Sequence, residues 1–333
     1  MTAVKTTETA APAGDITPPA LPPAVTGGAP KRRHRGGAFD RALPYLLLAP
    51  ALIAILWLIG FPVVSVFVTS FRQLNLGELV RGEIVWTGID NYVTVLQDER
   101  FWTVTLRTVA FTIAVVGASV GTGLLIALLM RVLTPWVRIA LQVAMLCAWA
   151  MPILASTTVY QWMFDQNYGI LNKTLVQLGF DSFAGYSWFS SGTSTLSVVG
   201  LLIVWQAIPF LAFSLYAGLV GIPRDLYEAA GIDGATGWQT FRAVTWPEIR
   251  SLLMMVTFLS TLWDFKVFAQ IWVFREGGPS GESTTLAVLQ YLEGIAKSHF
   301  GVAAAISVLM MIILGLITFQ YLRRLLQTEE GKI

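Results

Sequence analysis

The sequence predicts an all-α integral membrane protein with six transmembrane helices. Three observations lead there. Mean hydropathy is +0.65, only 13% of the 333 residues are charged against 55% hydrophobic, and the apolar residues gather into six long runs. A soluble domain carries about 25% charged residues, so this chain lacks the charge to clothe a surface facing water. The same composition excludes an ordinary soluble enzyme, a disordered protein and a nucleic-acid binder that relies on phosphate neutralisation. The net charge of +2 is too small to imply a polyanionic partner. The single cysteine, Cys147, excludes an intrachain disulfide or a thiolate metal cluster and is expected to be a small core residue.

Crossing a hydrocarbon layer of about 30 Å takes about 20 apolar residues in a helix. Residues 1–38 precede the first such run. They are rich in Ala, Pro, Thr and Gly, end near Lys31-Arg32-Arg33-His34-Arg35, and have too little apolar surface to offset ordering entropy. They are expected to form a disordered tail whose basic cluster touches anionic headgroups. The apolar run that begins near Pro44 is too long for the core of a signal peptide, so it is expected to remain as an anchor. The membrane domain is then 39–326, with a short tail at 327–333. The spans fall at 43–71, 104–132, 137–160, 196–220, 251–274 and 300–322. Asp40 can N-cap the first, with Pro44 in its opening turn. Pro62, Pro152 and Pro209 lie inside spans, where neighbouring helices can satisfy the freed carbonyls. Gly117 and Gly121 form a Gly-x-x-x-Gly seam for close helix packing.

Orientation follows from the basic residues. With the N-terminal tail inside, the inner segments hold fourteen Lys and Arg and the outer loops six, leaving Arg107 and Lys266 within or beside spans. The positive-inside rule therefore places both termini in the cytoplasm. Trp86, Trp102, Trp162, Trp188 and Trp272 fall near the outer boundary, and Trp136, Trp238 and Trp246 near the inner one, as interfacial aromatic belts do.

Catalytic signatures are missing from the sequence. It has no Gly-x-x-x-x-Gly-Lys-Ser/Thr loop, so ATP hydrolysis by this chain alone is not expected. No Gly-x-Ser-x-Gly elbow occurs, and His34 and His299 are placed too differently to share a metal. The informative segment is the inside loop 221–250. It is long, mixed in charge and rich in small residues, with Pro223 and Asp225 as helix-start signals. Glu228, Ala229 and Ile232 can share a face, and Ala230 and Gly234 leave room for another surface to approach. A short helix docking into a partner fits this composition, as does an amphipathic connector packed under its own bundle.

Glu228-Ala229-Ala230, three residues, Gly234, nine residues and Val244-Thr245-Trp246-Pro247 resemble the EAA loop of ABC importer permeases. In that family the pattern reads Glu-Ala-Ala, three, Gly, nine, Ile-x-Leu-Pro. Val244 and Trp246 depart from the usual Ile and Leu but keep apolar character, and Asp233-Gly234-Ala235 matches the extended form. Gly88-Ile89-Asp90-Asn91-Tyr92 is similar to an outer-loop stretch of carbohydrate importer permeases. Asp264, Gly277-Gly278-Pro279 and Ser283-Thr284-Thr285-Leu286 are similar to their fifth-span and outer-loop signature. The chain from about 40 to 326 thus resembles the maltose-type, binding-protein-dependent carbohydrate-uptake permeases.

That resemblance implies a six-helix permease with a cytoplasmic coupling helix between spans four and five, formed by Glu228, Ala229, Ala230, Asp233, Gly234 and Ala235. It implies a homologous second permease, two cytoplasmic ATPase subunits that bind ATP and Mg, and an extracytoplasmic solute-binding protein. The location implied is a prokaryotic inner membrane, with no nucleic-acid partner and no cofactor on this chain.

The residues also offer a substrate path. Trp149, Trp205 and Trp263 fall near the middles of three consecutive spans, with Gln206 and Asp264 beside two of them and Lys266 close by. An intramembrane charge usually faces a cavity or a partner, and aromatic faces beside hydrogen-bonding groups suit the C–H faces and hydroxyls of a sugar. The alternatives are aromatics that merely fill gaps, and an Asp264 that pairs with Lys266 or with a sister subunit. The expected cargo is a sugar or oligosaccharide. Glycerol-3-phosphate or a glycerophosphodiester is the rival within transport, and a membrane-embedded enzyme or assembly factor the rival outside it.

Overall fold

The computed structural model describes residues 38–330. The expected tail at 1–38, with its basic cluster, lies outside the described residues up to position 37, as do residues 331–333. The chain divides into two compact units at Trp57–Leu58. The first contains α1 (Ala38–Ile55), and the π-helical turn that follows (Leu56–Gly60) spans the division. Asp40 lies within α1, so it is not an N-cap.

The second unit begins with α2 (Phe61–Thr69). Next comes a small hairpin, β1 (Arg72–Gln73) and β2 (Val85–Trp86), paired antiparallel with Arg72 opposite Trp86. Between its strands lies α3 (Leu76–Arg81), which opens on a capping box of Asn75 and Glu78 and stops at Gly82 with φ +67°. The helices α4 (Asp90–Gln97), α5 (Glu99–Val132), α6 (Pro135–Trp149), α7 (Ile153–Met163), α8 (Ile170–Gln177) and α9 (Gly192–Val220) follow. The loop between spans contains α10 (Arg224–Ile232) and α11 (Gly237–Thr240), then a π-helical turn (Phe241–Thr245) feeding α12 (Trp246–Asp264). The chain closes with α13 (Ala269–Arg275), α14 (Leu286–Tyr291) and α15 (Phe300–Glu330).

The protein is an all-α membrane protein. Among the described residues, four continuous helical stretches are long and apolar enough to cross a bilayer: Leu47–Thr69, Glu99–Val132, Gly192–Val220 and Phe300–Leu325. They match the first, second, fourth and sixth predicted spans. The third and fifth are broken. α6 and α7 meet at 98°, and Gly237–Asp264 meets α13 at 42°, so the count reaches six when each bent pair is one span. Pro152 explains the first break. It has no N–H to continue the ladder and drives the preceding residue out of helical conformation, so α6 ends before it and α7 starts after it. Pro209, by contrast, stays inside an unbroken α9. The final helix continues to Glu330, and its candidate membrane span ends at Leu325.

α5 and α9 form the central pair. Lipid is as apolar as a side chain, so helices associate in membranes through close packing of small residues. That stripe on α5 is Ser119, Gly123 and Ala127, all buried, instead of the Gly117–Gly121 seam, whose glycines have nothing within 4 Å. A Cβ added at Gly123 would stand 2.6 Å from Leu211 Cβ. α12 crosses this pair through the buried Ile249 and Val256. Cys147 is exposed on α6, which corrects its expected place in the core. In a membrane an apolar side chain can face outward at little cost, so hydrophobicity alone does not mark burial.

The outer segments are tied down by polar contacts. Asn91 donates to the carbonyls of Ser70 and Arg72, each at 2.9 Å, and the hydroxyls of Tyr92 and Ser70 lie 2.6 Å apart. Arg107 donates to the carbonyls of Gly281 (3.0 Å) and Thr284 (3.1 Å), clasping the 277–286 loop to α5. Thr108 Oγ1 accepts from the Leu286 N–H at 2.9 Å.

Candidate functional site

Both helix breaks deliver side chains to one place. α6 ends at Trp149 because of Pro152, and α12 ends at Trp263-Asp264 where the chain bends towards α13. These termini meet the middle of α9 around a cavity of about 230 Å³ lined by Trp149, Gln206, Phe210, Trp263, Asp264 and Gln270, with Ser260 at its edge. Trp263 leans on Phe210, ring centroids 5.2 Å apart. Gln270 Nε2 donates to Gln206 Oε1 at 3.1 Å, and Gln206 Nε2 donates to Ser156 Oγ at 2.7 Å. Ser156 Oγ donates in turn to the Ile153 carbonyl at 2.9 Å.

Asp264 is the outlier. Only 7% of it is exposed, and its Oδ2 has no hydrogen-bond partner. Among the described residues it makes no ion pair with Lys266, which is exposed and lines a different hollow. A buried carboxylate oxygen without a donor is costly, so the site presents an acceptor with unused capacity beside two indole rings.

Four of the five residues named for a substrate path thus line one cavity: Trp149, Gln206, Trp263 and Asp264. Trp205 does not. Neighbours on a helix point about 100° apart, so Trp205 and Gln206 cannot share a face. Trp205 instead packs near Tyr160, centroids 6.0 Å apart, in a cluster with buried Phe164 and Val198. Gln270, Ser260 and Ser156 went unnoticed in the sequence. The available signal was an amide inside an apolar helix, which is rarely placed there idly.

The second feature is the loop 221–250. Pro223 occupies the N-cap of α10 and Asp225 its first turn. The helix stops by a Schellman arrangement: Ala235 N–H donates to the Ala230 carbonyl (3.0 Å) and Gly234 N–H to that of Gly231 (3.1 Å). Gly234 holds φ +71° with nothing within 4 Å of an added Cβ, the left-handed conformation that glycine adopts without strain. Tyr227 fastens α10 to the bundle, since its hydroxyl accepts from Arg131 at 2.8 Å and lies 3.1 Å from Thr245 Oγ1. The opposite face is open: Glu228, Ala229 and Asp233 are exposed, and Ile232 is 87% exposed. Ala230 and Ala235 are half-buried.

The fold is that of a polytopic helical membrane protein with a cavity between broken spans and a short helix exposed in the 221–250 loop, and the class it belongs to is membrane permeases. The chain belongs to the family described as the binding-protein-dependent transport system inner membrane component, whose model matches residues 119–328. It is 44% identical to the diacetylchitobiose uptake system permease protein DasB of Streptomyces coelicolor, over 92% of this chain and 94% of that one. It is 32% identical to the trehalose/maltose transport system permease protein MalF of Thermococcus litoralis, over 85% and 94%. Among solved structures it matches a chain of a bacterial ABC transporter that imports the acidic polysaccharide alginate, with a TM-score of 0.75 over 87% of this chain and 97% of that one. At 19% identity that likeness shows the fold alone. As a permease of this family the chain is a non-catalytic subunit, and ATP hydrolysis in homologous importers lies on a separate chain.

Proposed function

We propose that this chain is the permease subunit through which a neutral sugar or oligosaccharide enters the cell by alternating access, with Trp149, Gln206, Trp263 and Asp264 on the path. The observation that carries the reading is the cavity itself. Two tryptophans frame an unpartnered Asp264 Oδ2 and a Gln206–Gln270 pair, an arrangement suited to stacking on a sugar's C–H face while accepting from its hydroxyls. The names of two relatives point the same way: diacetylchitobiose and trehalose/maltose are neutral sugars. A phosphorylated cargo such as glycerol-3-phosphate would call for a cation, and among the described residues no Lys or Arg lines the cavity.

In this reading each bent pair crosses the membrane once, giving six spans, and both termini face the cytoplasm, as the basic residues support. The exposed face of α10, with Glu228, Ala229 and Asp233, docks into an ATPase, and Ala230, Gly234 and Ala235 complete the coupling helix. Two ATPase subunits carry ATP and Mg, a homologous permease forms the other half of the pathway, and an external binding protein delivers the sugar. Nucleotide-driven closure of the ATPase pair shifts the permease between outward and inward access, a population change biased by ATP.

The test is reconstitution. Proteoliposomes holding this chain, its sister permease and the ATPase, supplied with the binding protein, should accumulate a labelled neutral oligosaccharide only when Mg-ATP is enclosed. ATP-driven uptake of glycerol-3-phosphate with none of any sugar in the panel would overturn the choice of cargo. Uptake without ATP would overturn the importer.

A further inference from the structure

A second hollow, unconnected with the substrate path, opens at the Arg250–Arg324 end of α12 and α15. It is a groove of about 460 Å³ between the two helices. On α12 its lining residues Arg250, Leu253, Thr257 and Thr261 follow one face. The cavity residues of α12, Ser260, Trp263 and Asp264, are not among those that line the groove.

We propose that this groove binds one anionic glycerophospholipid, its phosphodiester between Arg250 and Arg324 and one acyl chain lying along the apolar wall. The mouth is cationic and comes from both helices: Arg250 from α12 and Arg324 from α15. Gln320 adds an amide and Trp246 an indole, a side chain favoured at headgroup level. Among the described residues Arg250 has no hydrogen bond or ion pair, and the acidic Glu248 two positions away is exposed and does not line the groove.

Deeper in, the groove turns apolar. Thr257 and Thr261 contribute methyl groups, because their hydroxyls donate to the carbonyls of Leu253 (2.7 Å) and Thr257 (2.8 Å) on their own helix. Phe258 and Tyr321 stack with centroids 4.1 Å apart and planes 4° from parallel, making a flat, rigid wall. From Arg250 to Thr261 the groove follows about 16 Å of α12, close to half of a hydrocarbon core of about 30 Å. Charge at one end and one leaflet's depth of apolar surface below it are the two halves of a phospholipid. Basic pockets between membrane helices recognise such headgroups, whereas a packed helix from another subunit would have to neutralise Arg250 with an acid of its own.

The test uses the full-length chain purified as the complex it forms in its own membrane. The complex is placed in nanodiscs of phosphatidylcholine doped with a phosphatidylglycerol bearing a photoreactive acyl chain, and labelled peptides are sequenced after illumination. Labels should concentrate on residues 253–261 and 317–321. The Arg250→Gln/Arg324→Gln double variant should lose that labelling by roughly 30-fold, the value for two basic side chains at the membrane surface. Arg250→Lys/Arg324→Lys should retain most of it, and Arg323→Gln, on α15 but outside the groove, should label as wild type. An unchanged melting temperature of the double variant separates a lost lipid from a lost fold. Equal labelling by photoreactive phosphatidylcholine, or by the double variant, would overturn the proposal. So would a photoreactive residue at Thr257 that recovers a peptide of another subunit, because a helix would then cover the groove.

Discussion

The hydroxyl of Tyr227 lies 2.8 Å from a guanidinium nitrogen of Arg131, joining α10 to the last turn of α5. A guanidinium can only donate, so the phenol's own hydrogen is left for Thr245 Oγ1, 3.1 Å away at the entrance to α12. One side chain therefore connects the short exposed helix to two spans. A push on α10 has a direct route into the bundle.

Tyr227→Phe keeps the ring that Arg131 covers at 4.5 Å and removes both hydrogen bonds. At about 1 kcal/mol for each bond, the complex should still assemble, while sugar transported per ATP hydrolysed falls severalfold. Uptake and ATPase activity measured on the same proteoliposomes give that ratio. An unchanged ratio would show that the force passes elsewhere.

Gly234 offers a sharper distinction between conformation and clearance. Its φ of +71° and the empty space around it mean that a side chain there meets strain and no clash. Gly234→Ala should destabilise the end of α10 by about 1–2 kcal/mol, seen as faster amide exchange at Asp233 and Ala235. Gly234→Asn should cost less, because asparagine tolerates the left-handed region. If the glycine serves as clearance for an ATPase surface, the larger asparagine should impair coupling more than alanine does, reversing that order.

Much of this loop was legible in the sequence. Pro223 and Asp225 marked the helix start, and the Glu228 to Pro247 spacing carried the family resemblance. The role of Gly234 was only half visible, since a glycine after a helix reads equally as a cap or as room for a partner. Asn91 was visible as part of a motif, but only its two carbonyl acceptors on Ser70 and Arg72 give the physical reason for it. The bend at Pro152 was misread because hydropathy counts apolar residues without regard to the direction of the chain. Trp205 stands apart from the cavity for a related reason: depth in the membrane is legible from sequence position, while the face of a helix needs its neighbours.

That difference in facing separates the tryptophans experimentally. Trp149→Ala and Trp263→Ala should reduce sugar uptake tenfold or more, roughly 1.4 kcal/mol of lost contact, with normal assembly. Trp205→Ala should act on the fold, because a packed aromatic cluster loses about 3 kcal/mol when a large ring is cut back. Its signature is a lower melting temperature and less complex recovered, with uptake per recovered complex near normal. Asp264→Asn keeps the shape and replaces an acceptor oxygen by an amide donor, so it should weaken uptake without lowering the melting temperature. Matching losses of uptake per complex for all three tryptophans would remove the assignment of the cavity.

The loop after α7 carries a pH dependence whose sign can be worked out. Asp165 accepts from the backbone N–H groups of Tyr168 (2.8 Å) and Asn167 (2.9 Å). These bonds, that from Tyr168 first, hold its carboxyl below the ordinary value of 3.8. The folded loop therefore favours the ionised acid. Its contribution is fully present above the ordinary value and is lost as pH falls through the lowered folded one. The turn also matters for packing, because Gly169 lies against the Asp165 backbone with no space for a Cβ. Amide exchange at Asn167 and Tyr168 should accelerate, relative to the Asp165→Asn variant, only on acidification below the ordinary carboxylate range. Asp165→Asn retains an acceptor oxygen but cannot titrate, so its exchange should follow the intrinsic pH profile throughout. A wild-type loop that loosens near neutral pH would point to a different titrating group.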